Sequence, residues 1–149
     1  WPGCCWKNKT GLELRKSEWH FLFDCGMIEK ITGRSKIMPF INVKTNVKIS
    51  KENEVAIKTM LGEAIALIPG KSEKSLMLSM EESRMWFRGT DEPCAMVSVW
   101  ALGQANREGY DKMTSKICTD LEEILHVSAS RIYIKYSETL NWGCNGSNF

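Results

Sequence analysis

Two stretches of helical periodicity frame the chain. Ile57, Met60, Leu61, Ala64, Ile65 and Ile68 recur at spacings of three and four, which places them on one stripe of a helix over residues 51–68. Tyr110, Met113, Ile117, Leu121, Ile124 and Leu125 do the same over residues 108–125. Strand-type segments lie on either side of each helix, near residues 40–47, 76–80, 95–102 and 131–136. The order is strand, helix, strand, used twice, with corresponding elements about 55 residues apart. Ser50 is placed to cap the first helix, and Pro69-Gly70 to end it.

Each apolar stripe needs a surface to cover. A four-stranded sheet with two antiparallel helices on one face supplies it, an α+β architecture of two β-α-β units. The other sheet face then stays apolar in part, with Met96 and Trp100 as candidates. An exposed apolar patch and open strand edges are liabilities in a domain this small, and self-association removes both.

The first 37 residues do not share this order. They start with Trp1 and hold three of the six Cys and three of the six Trp, yet show no sustained periodicity. The apolar run at Phe21-Leu22-Phe23 is broken by Asp24, too short for a signal peptide or a membrane span. The codons available to Gly33-Arg34-Ser35 include a purine-rich ribosome-binding sequence shortly before the codon for Met38. Residues 1–37 are therefore expected to be a non-native leader read through in translation, or else a disordered extension. Residues 38–149 form the domain.

Composition adds exclusions. The chain is 43% hydrophobic and 26% charged, with net charge +2. Seven of its 20 Lys/Arg and four of its 18 Asp/Glu precede Met38, leaving 13 against 14 in the body. That balance does not predict nucleic acid or an anionic membrane as partner. Cys94, Cys118 and Cys144 are odd in number and widely spaced, so they read as reduced thiols rather than a disulfide framework. His126 is the one His after Met38, and no His/Cys cluster has metal-ligand spacing, so neither metal nor other cofactor is expected.

The segments PFINVKTNV at 39–47, PGK at 69–71, DEPCAMVSV at 91–99, RIYIKY at 131–136 and NGSNF at 145–149 resemble the macrophage migration inhibitory factor family of tautomerases. The resemblance covers the whole body. It implies a barrel-like homotrimer with the sheets inside and the helices outside. It also implies a keto–enol tautomerase of the phenylpyruvate or dopachrome tautomerase kind, acting on small aromatic α-keto acids. In that family the initiator Met is removed and a free N-terminal proline is the general base.

The resemblance places that base at Pro39; from spacing alone, Pro39 would be a proline opening an edge strand. It places an active-site cation at Lys71, which otherwise reads as a charge near a helix C-terminus. Leu102 falls where the family uses a backbone N–H to hold a substrate oxygen. Tyr133 and Lys135 share one strand face and fall where family side chains enter a neighbouring subunit's pocket. Lys135 departs from the mammalian Asn, and reads as a second cation for an anionic substrate or as a solvated lysine. Other departures are Val97, which leaves Cys94 without a CxxC partner, Ser75 in place of a pocket tyrosine, and a Trp142 shifted by two positions. The alternative function is a cytokine-like trimer that binds a cell-surface receptor without physiological catalysis. The expected location is the cytoplasm, or outside the cell by a route without a signal peptide.

The chemistry imposes one condition. A prolyl nitrogen inside a peptide bond is a tertiary amide without a basic lone pair. The activity therefore requires that Pro39 be the N-terminal residue.

Overall fold

The computed structural model describes residues 38–103 and 106–148; the expectation for residues 1–37 lies outside the described residues. Strands β1 (Pro39–Thr45), β2 (Met77–Glu82), β3 (Ala95–Leu102) and β4 (Ile132–Thr139) form one sheet in the order β2-β1-β3-β4. Helices α1 (Lys51–Ile65) and α2 (Arg107–Leu125) connect the parallel pairs β1/β2 and β3/β4, while β1 and β3 run antiparallel. A helix joining adjacent parallel strands must run back against them, so the two helices are antiparallel to each other. The expected α+β architecture of two β-α-β units is what forms.

Alternation along the strands decides which face the helices cover. Pro39, Ile41, Val43 and Thr45 are buried on β1, and Ala95, Val97, Val99 and Ala101 on β3. Ile41, Val43, Val97 and Val99 join Ile57, Leu61, Ile65, Met113, Ile117 and Leu121 in one core. Both predicted stripes point into it, with Tyr110 and Ile124 at its margin. Leu61 is fully buried at its centre. Leu61→Ala should cost about 3 kcal/mol, read as a lower denaturant midpoint at unchanged slope.

Two of the boundaries that differ from expectation shape the site. Helix α1 starts as predicted, with the Asn53 N–H donating to Ser50 Oγ at 3.2 Å, but its regular hydrogen bonding stops at Ile65 rather than Ile68. Pro69 has no N–H, and its ring would clash with the carbonyl four residues earlier. The chain tightens instead. Leu67 donates to Ala64 and Ile68 to Ile65, each at 3.1 Å, so the bonds now span three residues. Gly70 then takes φ +80°, a left-handed conformation that glycine adopts without steric cost. Ile68 stays in the core, and Lys71 is delivered from the end of this turn to the sheet.

The second difference is at β4, which runs on to Thr139 instead of stopping near Tyr136. Its partner strand β3 is eight residues long, and Ser137, Glu138 and Thr139 pair with Trp100, Ala101 and Leu102. A short hairpin, β5 (Gly143–Cys144) and β6 (Ser147–Asn148), follows. Its turn residues Asn145 and Gly146 have φ +50° and +77°, the pattern an Asn-Gly hairpin turn requires.

Candidate functional site

Pro39 opens β1, which is an interior strand rather than an edge strand. The proline is tolerated because pairing with β2 starts one residue later, at Phe40 opposite Met77. On the other side Pro39 lies opposite Ala101 of β3. No ladder donor is missing where its N–H would have been, and Pro39 is buried.

Lys71 approaches the same end of the sheet from the α1 turn. Its side chain is 6% exposed, and its Nζ donates to the Leu102 carbonyl at 3.3 Å. Leu102 immediately follows Ala101, the residue opposite Pro39. Pro39, Lys71 and Leu102 therefore converge on one strand end. Burial pushes the Lys71 pKa below that of an ordinary lysine, and the negative charge of Glu138 partly opposes this. A lysine so removed from water is unusual in a fold whose other buried side chains are almost all apolar.

Tyr133 and Lys135 are not part of this cluster in the single chain. They stand on the face away from the helices, opposite Met96 and Ser98. Met96 is six residues from Leu102, about 20 Å along the strand. Tyr133 is 58% exposed and meets the Phe87 ring edge-on at 4.9 Å between centroids. Lys135 is exposed.

The open face is banded. Phe40 stacks on Trp100 at 5.2 Å, in a row with Met77, which is 68% exposed. The next row is polar: Asn42 Nδ2 donates to Ser79 Oγ at 2.6 Å and to Glu81 Oε1 at 2.7 Å. Lys44 pairs with Glu81 at 3.0 Å beyond it. Met96 and Trp100 do belong to this face, as the alternation predicts.

Two clefts, about 620 and 540 Å³, lie elsewhere: one lined by Asn46, Ser83 and Trp86, the other by Ile49, Leu78 and Met80. Neither is lined by Pro39 or Lys71. Among the described residues there is no group of three or more His, Cys, Asp or Glu side chains arranged to hold a metal, and no helix long and apolar enough to cross a membrane.

Glu138 was not among the residues singled out in the sequence. It lies opposite Ala101 on the side away from Pro39, and Tyr110 donates its hydroxyl to Glu138 Oε1 at 2.6 Å. A strand predicted to stop at Tyr136 gave no register in which to find it. The one available signal was Tyr110, a polar-tipped residue on the apolar stripe of α2.

A mixed four-stranded sheet with both helices on one face, and a proline opening an interior strand beside a buried lysine, defines a tautomerase-like fold. The chain belongs to the macrophage migration inhibitory factor family, whose model, Macrophage migration inhibitory factor (MIF), matches residues 38–149. It is 32% identical over 118 residues to the macrophage migration inhibitory factor of Mus musculus, covering 75% of this chain and 99% of that protein. Among solved structures it is similar to MIF2 of Leishmania major, with 26% identity and a TM-score of 0.71, covering 75% of this chain and 97% of that one. A homologue from Prochlorococcus marinus is similar at 28% identity and a TM-score of 0.64, covering 74% and 98%.

Proposed function

We propose that the chain is a keto–enol tautomerase for small aromatic α-keto acids of the phenylpyruvate type, acting as a homotrimer with Pro39 as general base once Pro39 is N-terminal. The observation that carries the reading is the buried Lys71 ammonium at the strand end where Pro39 lies. Burying a cation costs several kcal/mol in folding free energy, and a purely receptor-binding trimer has no use for one inside. An enzyme for carboxylate substrates does.

In the reaction the free secondary amine of Pro39 removes the proton α to the keto group, and electron density moves into the carbonyl to give an enolate. The same proton is returned to the enolate oxygen, so nothing is gained or lost between ketone and enol. Lys71 binds the substrate carboxylate and, with the Leu102 N–H, stabilises the developing negative charge. Its positive charge also disfavours protonation of the nearby amine, which keeps the base free near neutrality.

The open sheet face supports assembly. Exposed Met77 and Tyr133 and the Phe40–Trp100 stack lie on it, and burying them between copies removes an apolar patch from water. In the trimer Tyr133 and Lys135 of one subunit enter the pocket of the next. Lys135, in place of the Asn of mammalian members, adds a second cation there and shifts preference toward more anionic keto acids.

The test is ketonisation of enol-phenylpyruvate by a chain beginning at Pro39, followed by ultraviolet absorbance, with mass measured by light scattering. Turnover well above the buffer rate by a species of three chains is expected. A monomer, or a trimer with only the buffer rate, overturns the reading.

A further inference from the structure

The row of residues across the site end of the sheet includes an acid that the proposed reaction leaves without a role. Ala101 pairs with Pro39 on one side and Glu138 on the other. The two are thus two strand spacings apart, about 10 Å, with only a methyl side chain between them. Pro39 belongs to the buried set of β1 on the helix-covered face. Glu138 is turned to that face too, because its Oε1 accepts the hydroxyl of Tyr110 from α2. The Lys71 ammonium, on the Leu102 carbonyl, lies at this same strand end.

We propose that Glu138, anchored by the Tyr110 hydroxyl, is a positioning residue: its carboxylate, at the same strand end, is the counter-charge that favours the buried Lys71 ammonium. The effect on Pro39 rests on the tautomerase reading; the effect on Lys71 does not.

Among the described residues, the charged groups at this strand end are few, and Glu138 is the acid that acts on Lys71. Strand β3 brings no titratable side chain to this end, since its residues here are Ala101 and Leu102. Strand β1 brings only the Pro39 nitrogen, which titrates once it is free. From α2 come Tyr110, bonded to Glu138, and the exposed pairs Glu108–Lys112 at 2.7 Å and Arg107–Asp111 at 3.7 Å. After Lys71 the acid of the short helical turn, Glu73, is engaged by Lys58 at 3.1 Å. Burial lowers the Lys71 pKa, and the charge opposing this is that of Glu138.

The sign of each effect follows. Without the Glu138 charge, Lys71 gives up its proton at lower pH. A freed Pro39 amine does the same, because a nearby negative charge that favoured its protonated form is gone. Both limbs of a bell-shaped activity profile then move toward acid. A carboxylate that merely fastened β4 to α2 would move neither.

The test follows the Lys71 side-chain Cε–Hε signal by NMR through a pH titration of the full 149-residue chain, the signal being identified by its loss in Lys71→Arg. In Glu138→Gln the Lys71 midpoint should fall by about half a pH unit or more. In Glu138→Asp, which keeps the charge, it should return most of the way. An unchanged midpoint in Glu138→Gln, or the same fall in Glu138→Asp as in Glu138→Gln, overturns the proposal. In chains beginning at Pro39, both limbs of kcat/KM should move to lower pH in Glu138→Gln. An inactive wild-type chain with a shifted Lys71 midpoint would refute the tautomerase reading and leave the role of Glu138 standing.

Discussion

Replacing Pro39 by Gly in a chain that begins at residue 39 should lower kcat/KM by about a hundredfold or more, the scale of a lost general base. Glycine keeps an amine at that position, so the loss measures what the ring contributes. The pyrrolidine nitrogen is a secondary amine whose lone pair is fixed by the ring, whereas a glycine amine rotates. The fold should tolerate the change. Strand β1 is paired with β2 only from Phe40 onward, one residue after Pro39. The denaturation midpoint and the mass of the assembly should therefore stay near wild type. The intact 149-residue chain should show only the buffer rate, because its Pro39 nitrogen is an amide. Undiminished turnover by the intact chain or by Pro39→Gly would mean that another group is the base.

The architecture was legible because its signals are periodic and local. Every residue of the 57–68 stripe is buried, and β3 spans the residues its alternation indicates. Ser50 caps α1 through its side chain, as its position predicts. What failed were endings set by partners instead of by local sequence. Glu138 has little strand preference, and it is extended because β3 still offers Ala101 to pair with. Helix α1 ends early because Pro69 acts on the turn before it, not only on its own position. The Asn145-Gly146 hairpin was a missed local signal, since that dipeptide marks such turns.

The site was legible only in part. Lys71 and Leu102 look unrelated in sequence, and a crossover helix plus a tightened turn brings them within hydrogen-bond distance. Spacing alone would have left Pro39 a strand-opening proline; it was the family resemblance that singled it out. Tyr133 and Lys135 lie on the opposite face from the buried row, so no reading of one chain joins them to Pro39. On the proposed trimer reading, a second copy brings them there. Glu138 was hidden by the strand-end error.

Lys71→Met offers the sharpest separation of function from stability. Methionine keeps an unbranched side chain of similar length and removes the buried charge. Breaking the contact leaves the Leu102 carbonyl without the Lys71 donor, which costs about 1–3 kcal/mol if water cannot replace it. Removing the desolvated cation returns a comparable amount, so net stability near neutral pH should change by no more than about 1 kcal/mol. The pH dependence has a definite sign. The folded-state pKa of Lys71 lies below its ordinary value of 10.5. Between that lowered value and 10.5 the unfolded chain binds more protons than the folded one, so wild-type stability gains from rising pH in that window. Lys71→Met lacks this gain, and denaturant midpoints measured at neutral and alkaline pH should show the difference. Catalysis should respond far more. On the proposed mechanism, in which this cation binds the carboxylate and stabilises the enolate, its loss should lower kcat/KM by about 10²- to 10³-fold. It should also move the acid limb of activity to higher pH, since the Pro39 amine would hold its proton longer. A variant that kept wild-type kcat/KM and an unmoved acid limb would show that Lys71 is a structural cation and that the base is tuned by other charges.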